Sequence, residues 1–129
     1  MVYTIVVHLY AKPEAEAISK LKAKLVEASQ VYSKDKETLS WFVMQDTSDE
    51  RKFTIVERYL KESSQTYHLN NPYWKTFDPY VLPLLDAPMD LRRFEEMDTA
   101  QPGLAGKGPH VHEDSLDDTT VSSMYKDAE

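Results

Sequence analysis

Hydrophobic residues fall along this chain in two rhythms. From residue 2 to residue 10 they run almost unbroken, VYTIVVHLY, interrupted only by Thr4 and His8. Near-continuous apolarity rich in β-branched and aromatic side chains predicts a strand buried on both faces. Alternation puts Tyr3, Ile5, Val7 and Leu9 on one side, and Thr4, Val6, His8 and Tyr10 on the other. His8 is then expected to be a core polar group with a partner. After Pro13 the rhythm changes, and Ile18, Leu21, Leu25, Ala28 and Tyr32 recur every three or four residues. That is one apolar stripe on an amphipathic helix, with Lys20, Lys22, Lys24 and Glu27 outside it. Pro13 suits a first helical turn, and Glu14 and Glu16 sit at the positive end of the dipole. The polar run 33–37 ends the helix.

Residues 39–45 and 53–60 read as two further strands. The hydrophilic DTSDE segment between them predicts a hairpin, so the pair is antiparallel. Phe53, Ile55, Glu57 and Tyr59 share one face of the second strand. A carboxylate among such neighbours is costly unless it has a partner. A second helical region opens at the Ser63-Ser64 capping signal. Pro72 disfavours helical geometry at Asn71, making it the cap of a new segment, and Pro79 is expected to break the chain again after Asp78. An irregular turn over residues 81–85 leads to a closing strand at 89–94, which carries Arg92 and Arg93.

The order β-α-β-β-α-β predicts an α+β, ferredoxin-like fold with a four-stranded antiparallel sheet and helices on one face only. The other face, with Val6, Phe42 and Met44, is left open. An apolar patch of that size implies an interaction surface, and a sheet-to-sheet homodimer is the simplest way to cover it. Residues 1–97 form this domain. Residues 98–129 differ in character, holding all three glycines, seven acidic residues and two basic ones. Such a tail cannot by itself bury enough surface to offset its ordering entropy.

Composition narrows the classes of function. The 129 residues carry a net charge of −7 with no basic stripe, which argues against a nucleic-acid partner. The absence of cysteine excludes a disulfide framework and thiolate metal sites, and agrees with a cytoplasmic protein. No segment approaches the length of a membrane span, and the N-terminus reads as a strand rather than a signal peptide. His110-Val111-His112-Glu113-Asp114 holds metal-ligand types but lacks a scaffold and a third fixed ligand, so it is read as solvated chain and no metal site is expected. Gly103, Gly106 and Gly108 follow no strand and open no helix, so they form no nucleotide loop.

The chemistry concentrates in residues 57–80, ERYLKESSQTYHLNNPYWKTFDPY. Core-filling helices use side chains without polar atoms, whereas this run mixes rings with polar tips, two adjacent amides, an imidazole and a carboxylate. The mixture suits a pocket apolar in bulk and polar at chosen points. Each residue also has a structural role open to it. Tyr73, Trp74 and Phe77 suit core or dimer contacts, Glu57 with His68 a helix-to-strand bond, and Asn71 a helix cap.

The element order, the strand ending Val56-Glu57-Arg58-Tyr59, and His68 followed by Tyr73, Trp74 and Phe77 resemble the antibiotic biosynthesis monooxygenase (ABM) family over roughly residues 2–96. The resemblance implies a dimeric α+β barrel. A narrower similarity is to the branch that oxidises polycyclic phenols to quinones with dioxygen and no metal or flavin. That branch has an Asn, a Trp four residues on and a Tyr six beyond, spacings that Asn70, Trp74 and Tyr80 reproduce here. Likeness to the haem-degrading branch is weaker, because Leu84 stands where that branch has its iron-ligating His.

The resemblance implies a monooxygenase without cofactor, acting on a small hydrophobic, ring-bearing metabolite. His68, Asn70, Trp74 and Tyr80 would be its catalytic residues, and Glu57, Tyr59, Tyr73, Phe77 and Arg92 would contact substrate. The chemistry asks the protein to exclude water, position the rings and stabilise an anion that reduces dioxygen directly. Two other functions suit the same residues. One is an isomerase or degradative enzyme for a small carbonyl metabolite, using His68 and Glu57 for proton transfer. The other is a non-catalytic ligand-binding or dimerisation module.

Overall fold

The computed structural model describes residues 1–99. Their elements are β1 (Tyr3–Tyr10), α1 (Ala15–Tyr32), β2 (Thr38–Gln45), β3 (Lys52–Tyr59), α2 (Gln65–Asn70), α3 (Trp74–Val81) and β4 (Asp90–Glu95). Short 3₁₀ turns at Glu62–Ser64 and Leu82–Leu84 bracket the two small helices. The strands form one antiparallel sheet in the order β2-β3-β1-β4, which is the ferredoxin-like α+β arrangement. The expected His110–His112 segment and the remainder of the tail lie outside the described residues.

β1 takes a central place because it is the most continuously apolar strand, paired with β3 on one side and β4 on the other. Its Tyr3, Ile5, Val7 and Leu9 pack beneath the α1 stripe of Ile18, Leu21, Leu25, Ala28 and Tyr32, and all are buried. Trp41 of β2 and Phe53, Ile55 and Tyr59 of β3 complete the core. A register shift between Thr38 and Ser40 places one extra residue in β2. Beyond it, Trp41 pairs with Glu57 and points with it toward the helices. The turn into β2 holds Glu37 at φ 60°, a left-handed conformation fixed by bonds at both ends of that residue. Its carbonyl accepts the Leu60 N–H, and its carboxylate accepts the Ser64 hydroxyl at 2.7 Å.

Two local expectations are corrected. His8 is exposed on the open face, where its Nδ1 lies 3.1 Å from the Thr54 hydroxyl. On this second surface of β1 Thr4 is buried and donates to Glu96, and Arg51 lies over the Tyr10 ring, but Val6 and Tyr10 are only half-buried and His8 is exposed, so apolar continuity overstated burial there. Pro79 does not break the chain, because α3 runs through it to Val81. The bond it forfeits would go to the carbonyl of Lys75, an exposed residue, and the helix keeps its other interactions. Pro72 does act as expected. Asn71 is extended at φ −72° and ψ 118°, and α2 ends before it.

Candidate functional site

The middle of the sheet presents one transverse row to the helices. By register, Trp41, Glu57, Ile5 and Arg93 stand side by side across β2, β3, β1 and β4. Above this row, α2 and α3 lean away from the sheet and leave a cavity of about 440 Å³. That volume suits a small organic ligand. Trp41, Tyr32, Phe77, Trp74, Met89 and Leu91 supply its apolar walls, and Glu57, His68, Gln65, Asp78 and Arg93 its polar points.

Glu57 is only 5% exposed. Burial pushes its carboxyl above the usual range, against the opposing pull of the Tyr59 hydroxyl, the Trp41 indole and the Arg93 guanidinium. The Tyr59 hydroxyl donates to Glu57 Oε1 at 2.6 Å. The Trp41 N–H influences the carboxyl from outside hydrogen-bond geometry and has no other partner among the described residues. His68 Nε2 stands 3.7 Å from the same Oε1. That is too long for a hydrogen bond, and burial pulls the imidazole pKa down to about 4. At neutral pH the pair is therefore a neutral imidazole beside a carboxyl, not an ion pair. Nδ1 of His68 is buried without a hydrogen-bond partner among the described residues.

Rings fix the imidazole in place. Tyr32, at the end of α1, meets His68 edge-on at 4.1 Å between centroids and touches Trp41, Tyr73 and Phe77 as well. Burial raises the Tyr32 phenol far above its ordinary pKa, so it stays protonated. The break between α2 and α3 is pinned by Asn71, whose amide donates to Asp35 at 2.9 Å and whose side-chain oxygen accepts the Tyr73 N–H at 3.0 Å. The bend carries Trp74 back over the cavity that His68 also lines.

The structure thus divides the sequence-predicted residues. His68, Trp74, Glu57 and Phe77 meet in one cavity, with Tyr59 directly behind Glu57. Asn70 is exposed at the end of α2 and is not part of the lining. Tyr73, the residue before α3, and Tyr80 within it face α1. The Tyr73 hydroxyl donates to Glu27 at 2.6 Å, and the Lys24 ammonium sits 4.9 Å from the Tyr73 ring and 5.2 Å from the Tyr80 ring. These are helix-to-helix contacts. Arg92 points to the open face and pairs with Asp90 at 3.1 Å, so its neighbour Arg93 is the arginine of the cavity.

Asp78 and Gln65 were missed by the sequence reading. The available signal for Asp78 was its spacing of four from Trp74, which places both on one side of a helix. Among the described residues there is no group of three or more metal-ligating side chains. A wider concavity of about 900 Å³ lies on the other side of the sheet, against His8, Tyr10, Met44, Thr54 and Asp90. It holds none of the Glu57–His68 chemistry and belongs to the open face.

Comparison with known proteins agrees with this architecture. The family model described as antibiotic biosynthesis monooxygenase matches residues 3–79, more than half of the chain. Among solved structures, Rv0793 from Mycobacterium tuberculosis is similar at 18% identity and a TM-score of 0.69, covering 78% of this chain and 100% of its own. A protein from Deinococcus radiodurans, provisionally named an antibiotic biosynthesis monooxygenase, matches at 22% identity and a TM-score of 0.65, covering 75% of this chain and 93% of its own. PA3566 from Pseudomonas aeruginosa matches at 17% identity and a TM-score of 0.67, over 74% of this chain and 94% of its own. At these identities the likeness is one of fold. A comparison with curated proteins finds no match.

Proposed function

The chain belongs to the antibiotic biosynthesis monooxygenase family, and from that premise we propose that it oxidises a small, hydrophobic, ring-bearing metabolite with dioxygen, without metal or flavin. The observation that carries this reading is the cavity between sheet and helices. It is walled by rings and carries the Glu57–His68 pair and Arg93 at polar points of its lining. An aromatic segment that served only to pack against protein would leave no such space, which weighs against a purely structural module.

The chemistry is that of an acidic carbon between rings. An activated CH₂ gives its first proton to the Glu57–His68 end. The resulting anion is electron-rich, reduces dioxygen and forms a C–O bond. Loss of the second proton as the O–O bond breaks leaves a ketone and water. The protein's share is to exclude water with Trp74, Phe77 and Trp41, to accept the proton, and to hold the developing negative charge near Arg93. His68, neutral at physiological pH, can act as a hydrogen-bond acceptor. Trp74 supplies an indole N–H and a stacking surface, and Asn70 and Tyr80 stand outside this set.

The test is oxygen uptake with anthrone in chelator-treated buffer, comparing the natural protein with Trp74→Phe and His68→Ala. Uptake should fall about a hundred-fold or more in His68→Ala, the usual scale for losing a positioned proton acceptor. Equal rates in all three proteins would remove the site assignment, and no uptake by the natural protein would remove the oxygenase. The Glu57–His68 pair also favours a second reading, proton transfer on a small carbonyl compound, which would proceed equally well without oxygen.

The same reading includes a homodimer closed through the open sheet face. Phe42, 58% exposed, together with Met44 and Phe94, gives that face an apolar character that a second copy would cover. A chain without cysteine suits a cytoplasmic setting.

A further inference from the structure

α2 lies over the cavity without the usual means of holding a helix down. It has six residues, far fewer than a helix needs to persist in water without tertiary packing. Yet none of those residues is buried, and Tyr67 and Leu69 remain exposed. Its inward group, His68, adds a cost rather than an anchor. The imidazole is largely withdrawn from water, with Nε2 beyond bonding range of Glu57 and Nδ1 unsatisfied. The edge contact with Tyr32 gives it a shape to fit but no hydrogen bond.

What holds α2 is its two ends, and both are tied to one turn. Before the helix, the fully buried Ser64 hydroxyl donates to Glu37 at 2.7 Å and accepts the Lys61 N–H at 3.2 Å. After it, the Asn71 amide donates to Asp35 Oδ1 at 2.9 Å, and the Asn71 backbone N–H donates to the His68 carbonyl at 3.1 Å. Asp35 and Glu37 belong to the same turn between α1 and β2, and that turn is itself under constraint. Glu37 sits at φ 60°, a conformation unfavourable for a side chain with a Cβ. Asp35 Oδ2 is buried with no hydrogen-bond partner among the described residues. The turn thus carries unfavourable features at two residues, and its side-chain bonds go to the two ends of α2.

We propose that Asp35 and Glu37 are positioning residues for His68, their carboxylates clamping the two ends of α2 so that the imidazole stays beside Glu57. Neither residue lines the cavity, and both act through the helix. The functional meaning rests on the reading of Glu57–His68 as the proton-accepting end of the site. The placement itself is open to measurement without turnover.

Imidazole Cε1–H resonances follow the four histidines through a pH titration, and the one absent from His68→Gln belongs to His68. In the natural protein it should titrate near about 4, the value that burial imposes. Asp35→Ala and Glu37→Ala each cut one clamp, and in each the His68 pKa should climb most of the way to 6.5 as the ring reaches water. The sign is decisive, because loss of a nearby anion acts by itself to lower an imidazole pKa. Asp35→Asn and Glu37→Gln keep an acceptor oxygen for the Asn71 amide and the Ser64 hydroxyl, and should titrate like the natural protein. Glu57, Tyr32 and Tyr59, the titratable groups around the ring, are the same in every variant. An unchanged or lowered pKa in either alanine variant removes that residue from the role, and in both it overturns the proposal. A natural His68 that titrates near 6.5 overturns it as well. So does collapse of the whole fold in both alanine variants, read from amide exchange in β1 and β3, because a clamp on α2 leaves the sheet intact when cut. None of these results depends on oxygen uptake, so the proposed oxidation stands or falls separately.

Discussion

His68 links the site to stability in a way that a pH titration can measure. Burial lowers its pKa from 6.5 to about 4. The unfolded chain therefore takes up this proton near pH 6.5 and the folded chain only near pH 4. Between those values the unfolded state binds more protons, so the contribution is full above the upper value and is lost as pH falls through the lower one. The gap corresponds to about 3 kcal/mol at roughly 1.4 kcal/mol per unit. Glu57 works in the opposite sense. Its raised pKa makes the folded state the better proton acceptor, so its protonation favours folding as pH falls. The whole stability curve would mix the two, and the perturbation must isolate one. His68→Gln keeps a polar side chain that does not titrate. Urea unfolding of both proteins between about pH 7 and about pH 4 gives two curves whose difference cancels Glu57 to first order. At the acid end the variant should gain about 3 kcal/mol relative to the natural protein, apart from a constant packing offset. A difference that stays flat across the range would refute the buried, neutral imidazole.

Two further outcomes follow from the same geometry. Glu57→Gln removes a desolvated charge while leaving an oxygen for the Tyr59 hydroxyl, so stability at neutral pH should hold or rise by on the order of 1 kcal/mol in urea unfolding. Anthrone turnover by that variant should drop at least about ten-fold, and a clear loss of stability would contradict the account of Glu57. For the open face, light scattering should find a dimer at micromolar concentration, and Phe42→Asp should yield a folded monomer because a charge replaces an apolar contact. A monomeric natural protein would rule out the sheet-to-sheet pairing.

The limits of legibility lie at particular residues. Alternation placed Glu57 among Phe53, Ile55 and Tyr59, and the buried carboxyl follows from that period alone. Pro72 marked the end of α2 correctly because its ring acts on the residue immediately before it. Pro79 misled, because a proline on the exposed side of a short helix forfeits only one bond. The spacing of Asn70, Trp74 and Tyr80 looked like a single constellation, yet only Trp74 reaches the cavity. Sequence spacing describes a direction only within one unbroken helix, and the bend at Asn71 lies between Asn70 and Trp74. Tyr80 shares α3 with Trp74 but projects toward Lys24 on α1.

The sequence by itself determined the order of elements, the antiparallel sheet and the inward strand faces, with Glu57 on one of them. These are local periodicities, set within a few residues by alternation, helical pitch and proline geometry. Only the tertiary structure decided which polar groups share one cavity. Arg93 rather than Arg92 enters it because β4 pairs with β1 in a register that sets Arg93 opposite Ile5. Asp78 enters because the anchored bend rotates α3 so that this carboxylate, and not Tyr73 or Tyr80, turns toward the sheet. Both outcomes depend on contacts between segments distant along the chain, which no local pattern encodes.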